Sequence, residues 1–231
     1  MVVFDINVTD KKELLKVHKN QNVPCKSRFP LETNKYSINV RFTILVYNPG
    51  LKIKNMSIYQ KLTKIGSKFL GKHILFKHGF NLSPMYRRST GKVTNVSEDL
   101  MNISIKLPIN YKNRNYVNSI FGGSMFSAVD PIPMVQLMNI LGEDYVVWDK
   151  SAEIFFKRPA KESLYADFVY VHEEVAEIKK RVSEENEITI VKKTELMDKA
   201  KSKVFCEVRK TIYVADKAFY KKKRAIAKKS T

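Results

Sequence analysis

The chain has 231 residues, room for one large domain or one domain with extensions. Hydrophobic residues make up 44% and aromatics 11%, which fits a chain with a real core and argues against a disordered one. The net charge of +19 favours anionic partners, whether nucleic acid, a membrane surface, an acidic carrier protein or cofactor phosphates, although a lineage-wide enrichment in lysine would give the same balance.

Cys25 and Cys206 are isolated thiols, with neither a disulfide framework nor metal-ligand spacing, so a reduced, cytoplasmic protein is expected. His18, His73, His78 and His172 show no metal spacing either, and no metal site is expected. No apolar run approaches the roughly 18 residues of a membrane span. The start, MVVFDINVTDKKELL, has an early acid and no basic region before an apolar one, unlike a signal peptide.

Four stretches are expected along the chain: an extension over 1–55, a basic amphipathic helix over 56–80, a main domain over 81–216 and a basic tail over 217–231. In the extension, Tyr36, Ile38, Val40, Phe42, Ile44 and Val46 alternate as in a strand, closed by Asn48-Pro49-Gly50. From Met56, the spacing of Ile58, Leu62, Ile65 and Phe69 predicts a helix, with Lys61, Lys64, Lys68 and Lys72 among them. Such a helix fits a peripheral membrane contact or a cap on an acyl site, and equally a basic-faced helix packed on the domain.

Strands follow. Val93, then Met101, Ile103, Ile105 and Leu107 alternate; Val146, Trp148, Lys150, Ala152, Ile154 and Phe156 are expected on one face of the next strand, with Asp149 on the other. LYADFVYVHEEVAEIKKRV, NEITIVKKTELMD and VFCEVRKTIYVAD each fit a further strand of an antiparallel meander. GGSMFSAVDPIPMVQLMNILG is apolar all round, as a buried helix would be, and Gly142 is a natural stop. The order predicts an α+β fold with the sheet around a helix. The acid-free tail KAFYKKKRAIAKKST is expected to fray. No phosphate-binding glycine loop and no G-x-S-x-G elbow is present.

The chemistry concentrates in NSIFGGSMFSAVDPIPM, residues 118–134. A helix opening at Gly122-Gly123 presents unpaired N–H groups that can polarise a carbonyl, and glycine admits close approach. Asp130 lies seven residues after Gly123, about two turns along the same face. A carboxylate among apolar residues suits general-base work. Asp130 before Pro131 also fits a purely structural role, as the N-cap of a second helical segment.

Three stretches, NRNYVNSIFGGSMFSAVDP, LGEDYVVWDKSAEIFFKRPA and VRKTIYV, carry a resemblance over roughly residues 80–215. Here the chain resembles the hotdog-fold thioesterase superfamily, and within it a branch catalogued as a domain of unknown function. The resemblance implies an antiparallel sheet wrapped around a long central helix, paired into a homodimer or higher homo-oligomer. In the phenylacetate-type relatives a His-Gly-Gly opens the helix. By position, Gly123 would polarise the thioester carbonyl, and Asp130, reached across the dimer interface, would activate water or attack directly. Gly122 and Asn118 would border the substrate, and Phe121 stands where the relatives have His.

Arg158 and Lys161 follow a strand where such folds hold the phosphates of coenzyme A, and they also fit solvated loop charges. Trp148 fits burial in a dimer sheet, and Asp149 or Lys150 could border the site. The function implied is hydrolysis of an acyl-CoA or acyl-carrier-protein thioester, with coenzyme A as part of the substrate and no other cofactor. Non-catalytic acyl-CoA binding is the alternative, motivated by Phe121. Nucleic-acid binding rests on charge alone and has no recognition motif behind it.

Overall fold

A computed structural model describes residues 71–229, together with the backbone of two short strands, β1 (Asp5–Ile6) and β2 (Val40–Arg41), which pair antiparallel. Beyond Val40–Arg41, the strand expected over 36–46 lies outside the described residues. So do Ile58, Leu62, Ile65 and Phe69 of the helix expected from Met56.

The described chain continues with α1 (Lys72–Leu82) and α2 (Pro84–Arg88). Phe76 stacks on Phe80 with centroids 4.6 Å apart, and Phe80 meets buried Tyr86 edge-on. Asn81 then locks α1 to β3 (Lys92–Val96), its amide donating to the Val93 carbonyl at 2.8 Å and accepting from the Val93 N–H at 2.9 Å.

The main sheet adds β4 (Asn102–Leu107), β5 (Tyr145–Phe156), β6 (Leu164–Val169), β7 (Glu187–Met197) and β8 (Val204–Asp216). Its six strands run in the order β3-β4-β6-β7-β8-β5, and every neighbouring pair is antiparallel. In β4 the expected alternation holds, with Ile103, Ile105 and Leu107 buried.

The apolar segment after Gly122 forms two consecutive helices, α3 (Gly122–Val129) and α4 (Pro131–Leu141), with Asp130 between them. Pro131 and Pro133 lack the N–H groups that one unbroken helix needs. Met125, Ala128, Val129 and Ile132 pack in one core cluster with Ile103, Ile105, Ile154, Leu164, Phe168 and Val208 of the sheet. The sheet thus closes over a central helical axis, which is the hotdog arrangement. Gly142 ends α4 at φ +91°, a left-handed position that glycine adopts without strain.

Three expectations need correction. LYADFVYVHEEVAEIKKRV is not one strand: β6 ends at Val169 and α5 (His172–Glu185) follows. Val175, Ile178 and Val182 are buried at helical spacings of three and four, so the period of the apolar residues outweighs their β-branching. The tail is not frayed over 217–229 but forms α6 (Lys217–Lys229). Asp216 starts it by accepting from the Phe219 N–H at 2.7 Å, and Lys223 pairs with Glu187 at 2.6 Å.

The third correction concerns β5. A bulge between Asp149 and Ser151 breaks the single alternation, because Asp149 faces Ile212 across the pair while Ser151 already faces Thr211. Val147, Asp149, Ala152 and Ile154 therefore share the inner side, and Trp148 is exposed on the single chain. Among the described residues no helix is long and apolar enough to cross a membrane.

Candidate active site

The loop into α3 is built by two asparagines. Asn113, buried, donates to the Thr90 hydroxyl at 2.7 Å and the Pro108 carbonyl at 2.8 Å, and accepts from the Asn110 N–H. Asn115 accepts from the N–H groups of Val117 and Ser119 and from the Ser119 hydroxyl. The Phe121 N–H donates to the Asn113 carbonyl at 2.7 Å and Ile120 to that of Ala160 at 2.8 Å, which fixes where the helix begins.

The first intrahelical bonds of α3 run from Ser124 and Met125 to the Phe121 carbonyl. The N–H groups of Gly122 and Gly123 stand ahead of that ladder and point along the axis at the positive end of the helix dipole. Two aromatic rings press on these glycines. A Cβ on Gly122 would lie 2.6 Å from Phe156 Cζ, and one on Gly123 would lie 2.3 Å from Phe121 Cε1. No other residue type fits beneath the rings as they stand. The Phe121 ring thus packs directly against Gly123.

Asp130 closes α3. Its N–H still donates to the Phe126 carbonyl at 2.8 Å, so the backbone runs helically into the junction. Its side chain makes no capping bond to α4. It is ion-paired instead with Lys210 of β8. Lys210 Nζ also lies 2.9 Å from Asp149 Oδ2. The three side chains differ in exposure: Lys210 2%, Asp149 17% and Asp130 39%. Asp130 is the member that water or a substrate can reach.

The inner sheet face places more charge beside this group. Lys192 of β7 is the cross-strand neighbour of Lys210. It pairs with Glu174 of α5 at 2.6 Å and lies 4.0 Å from the ring centroid of buried Tyr170. The Tyr170 hydroxyl donates to the Pro133 carbonyl at 3.1 Å. Burial holds the Asp149 carboxyl above the ordinary aspartate range, partly offset by Lys210. Burial also raises the Tyr170 hydroxyl, reinforced by Glu174 and Asp149. The Cys206 thiol is pushed up to about 12 by burial and cannot serve as a nucleophile near neutral pH.

The other expected site residues are spread around the α3 entrance. An open cavity of about 380 Å³ is lined by Asn115, Ser119, Gly122, Phe156, Lys157 and Arg158 among others. Gly122 and Arg158 thus meet in one place. Asn118 does not line this cavity; it sits exposed in the loop with φ +57°, while Asn115 and Ser119 face the space. Lys161 is exposed and also outside it. Arg158 holds its guanidinium 5.9 Å from the Phe205 ring centroid.

Lys210 is the residue that sequence reasoning missed. Its signal was present: Val208, Lys210, Ile212 and Val214 occupy one face of β8, and a lysine on an otherwise apolar face requires buried partners.

Residues 71–214 match the family described as domain of unknown function DUF4442. Among solved structures, a Pseudomonas aeruginosa protein of unknown function, called a probable thioesterase, is similar with a TM-score of 0.55 and 16% identity, over 62% of this chain and 95% of that one. A Haemophilus influenzae thioesterase aligns with a TM-score of 0.46 and 14% identity, over 62% of this chain and 90% of its own. The Escherichia coli PaaI protein of the phenylacetic acid degradation operon gives a TM-score of 0.42 and 14% identity, over 58% of this chain and 86% of its own. No curated protein matches. The match over most of the chain, on a hotdog domain, places this protein in the DUF4442 family.

Proposed function

We propose that the protein hydrolyses an acyl thioester, with the Gly123 N–H polarising the carbonyl and Asp130 activating water. The supporting observation is the pairing of a glycine-opened helix N-terminus with a half-exposed carboxylate held by a buried lysine. The thioester oxygen would accept from Gly123 at the positive end of α3. Asp130 would take a proton from water as its oxygen bonds to the carbonyl carbon. The tetrahedral oxyanion then collapses, the C–S bond breaks and the thiolate leaves.

Within one chain, Gly123 and Asp130 are separated by seven residues, about 10 Å along a helix. Asp130 is also turned toward β8. One carbonyl is therefore better served by the glycine of one subunit and the acid of another, which favours a homodimer. The cavity beside Gly122, with Lys157 and Arg158 on its rim, suits the anionic part of coenzyme A or of a carrier-protein thioester.

One observation favours the non-catalytic alternative. The Phe121 ring packs against the Cα side of Gly123, where the resembling thioesterases have His, so the chain could hold an acyl-CoA without the side chain that helps set the catalytic site. Thiol release by the wild-type protein from short, long and aromatic acyl-CoA and acyl-carrier-protein thioesters separates the two. Turnover of one class supports the hydrolase; saturable binding with no release from any thioester overturns it.

A further inference from the structure

Two lysines, Lys192 and Lys210, lie opposite each other on the inner sheet face. Three carboxylates answer them: Glu174 takes Lys192, while Asp130 and Asp149 share Lys210. The count leaves one surplus negative charge around a buried lysine, with Asp130 and Glu174 at the solvent-facing edge. Asp149 carries its mark: its Oδ1 is buried and has no hydrogen-bond partner among the described residues. Its carboxyl is also held above the ordinary range by burial.

A single aspartate clamped by one buried lysine would make a poor base, since the ammonium stabilises the charged form it would have to give up. A second carboxylate on the same ammonium changes the balance. When Asp130 takes up a proton, Lys210 remains paired with Asp149, and the surplus charge disappears.

We propose that Asp149 is a positioning and charge-sharing residue that, through Lys210, sets the proton affinity of Asp130. Lys210 orients Asp130, and Asp149 draws off part of the ammonium so that Asp130 can still accept a proton. Tyr170, Glu174 and Lys192 add charged and titratable groups beside the cluster, and the Phe126 ring lies 5.8 Å from Lys210 Nζ. This rests on the hydrolase reading for its purpose but not for its measurement.

The test is a carboxyl-carbon NMR titration without substrate, following the Asp130 resonance, assigned with Asp130→Asn. Asp149→Asn is expected to lower the Asp130 midpoint by about one pH unit, and Lys210→Met to raise it by about as much. Opposite shifts show that both charges act on Asp130; a cluster with only a structural role moves both variants the same way or neither. The double variant Asp149→Asn/Lys210→Met buries no unpaired charge, and its midpoint is expected between those of the single variants. If Lys210→Met does not fold, Asp149→Asn and the double variant decide. An Asp130 midpoint that rises or stays put in Asp149→Asn overturns the proposal. Absence of thiol release by wild type overturns only the hydrolase reading, so the two failures are distinct.

Discussion

Lys210 Nζ lies between two carboxylates that come from different elements, Asp130 at the helix junction and Asp149 beside the β5 bulge. With 2% of its side chain exposed, its charge is balanced inside the protein and not by solvent. Replacing it by alanine leaves two facing carboxylates with no cation between them. Lys210→Ala is expected to lose about 3–5 kcal/mol of stability at neutral pH. Denaturant unfolding monitored by circular dichroism checks this, and a variant within about 1 kcal/mol of wild type would contradict a mutually dependent group built on a buried lysine.

Gly123 tests the helix N-terminus separately from the fold. Neither Gly122 nor Gly123 has a positive φ, so alanine is conformationally allowed there. The atom it would meet belongs to the ring of exposed Phe121, which can swing aside. Gly123→Ala is expected to keep the wild-type unfolding temperature within a few degrees and to lose about tenfold or more in thioester turnover. Equal loss of stability and activity would assign the glycine to folding.

Phe121→His restores the residue type that the resembling thioesterases place before the glycine pair. If the lack of that side chain restrains turnover, this variant gains several-fold in thiol release with little change in substrate KM. An unchanged rate would show that the histidine is not needed.

The pH dependence of stability has two opposing parts. The Asp198 carboxyl is held below the ordinary range by the Lys203 N–H and the Ser202 hydroxyl, at the turn between β7 and β8. Its contribution is present above the ordinary aspartate value and is lost as pH falls through its lowered one. Asp149 has the opposite sign: its raised value gives stability that is present in acid and is lost as pH rises through that value. Unfolding temperatures across pH 3–8, an approximate window around these values, check both. Asp198→Asn should flatten the acid-side loss, and Asp149→Asn should flatten the fall between acid and neutral pH.

Gly122 and Gly142 bound the central helical segment as read, because a glycine pair and a glycine stop are local signals. Asp130 stood out as a lone carboxylate among apolar residues. Lys210 did not, because lysine is common throughout this chain and its meaning lay in the alternation of Val208, Ile212 and Val214 around it. Period-two patterning sets Asp149 opposite Ala152 and Ile154, whereas the structure puts all three on one side, because a bulge is a tertiary choice that such patterning cannot carry. In α5, valine and isoleucine suggested a strand, and only their three-four spacing marked the helix.

The most direct measurement compares thiol release by wild type and Asp130→Asn on whichever thioester wild type turns over, with circular dichroism on both. Lys210 keeps Asp149 as a partner in the variant, so the fold is expected to persist. The account predicts a loss of about a hundredfold or more in turnover with the unfolding temperature nearly unchanged. A folded Asp130→Asn protein that releases thiol at the wild-type rate would contradict it.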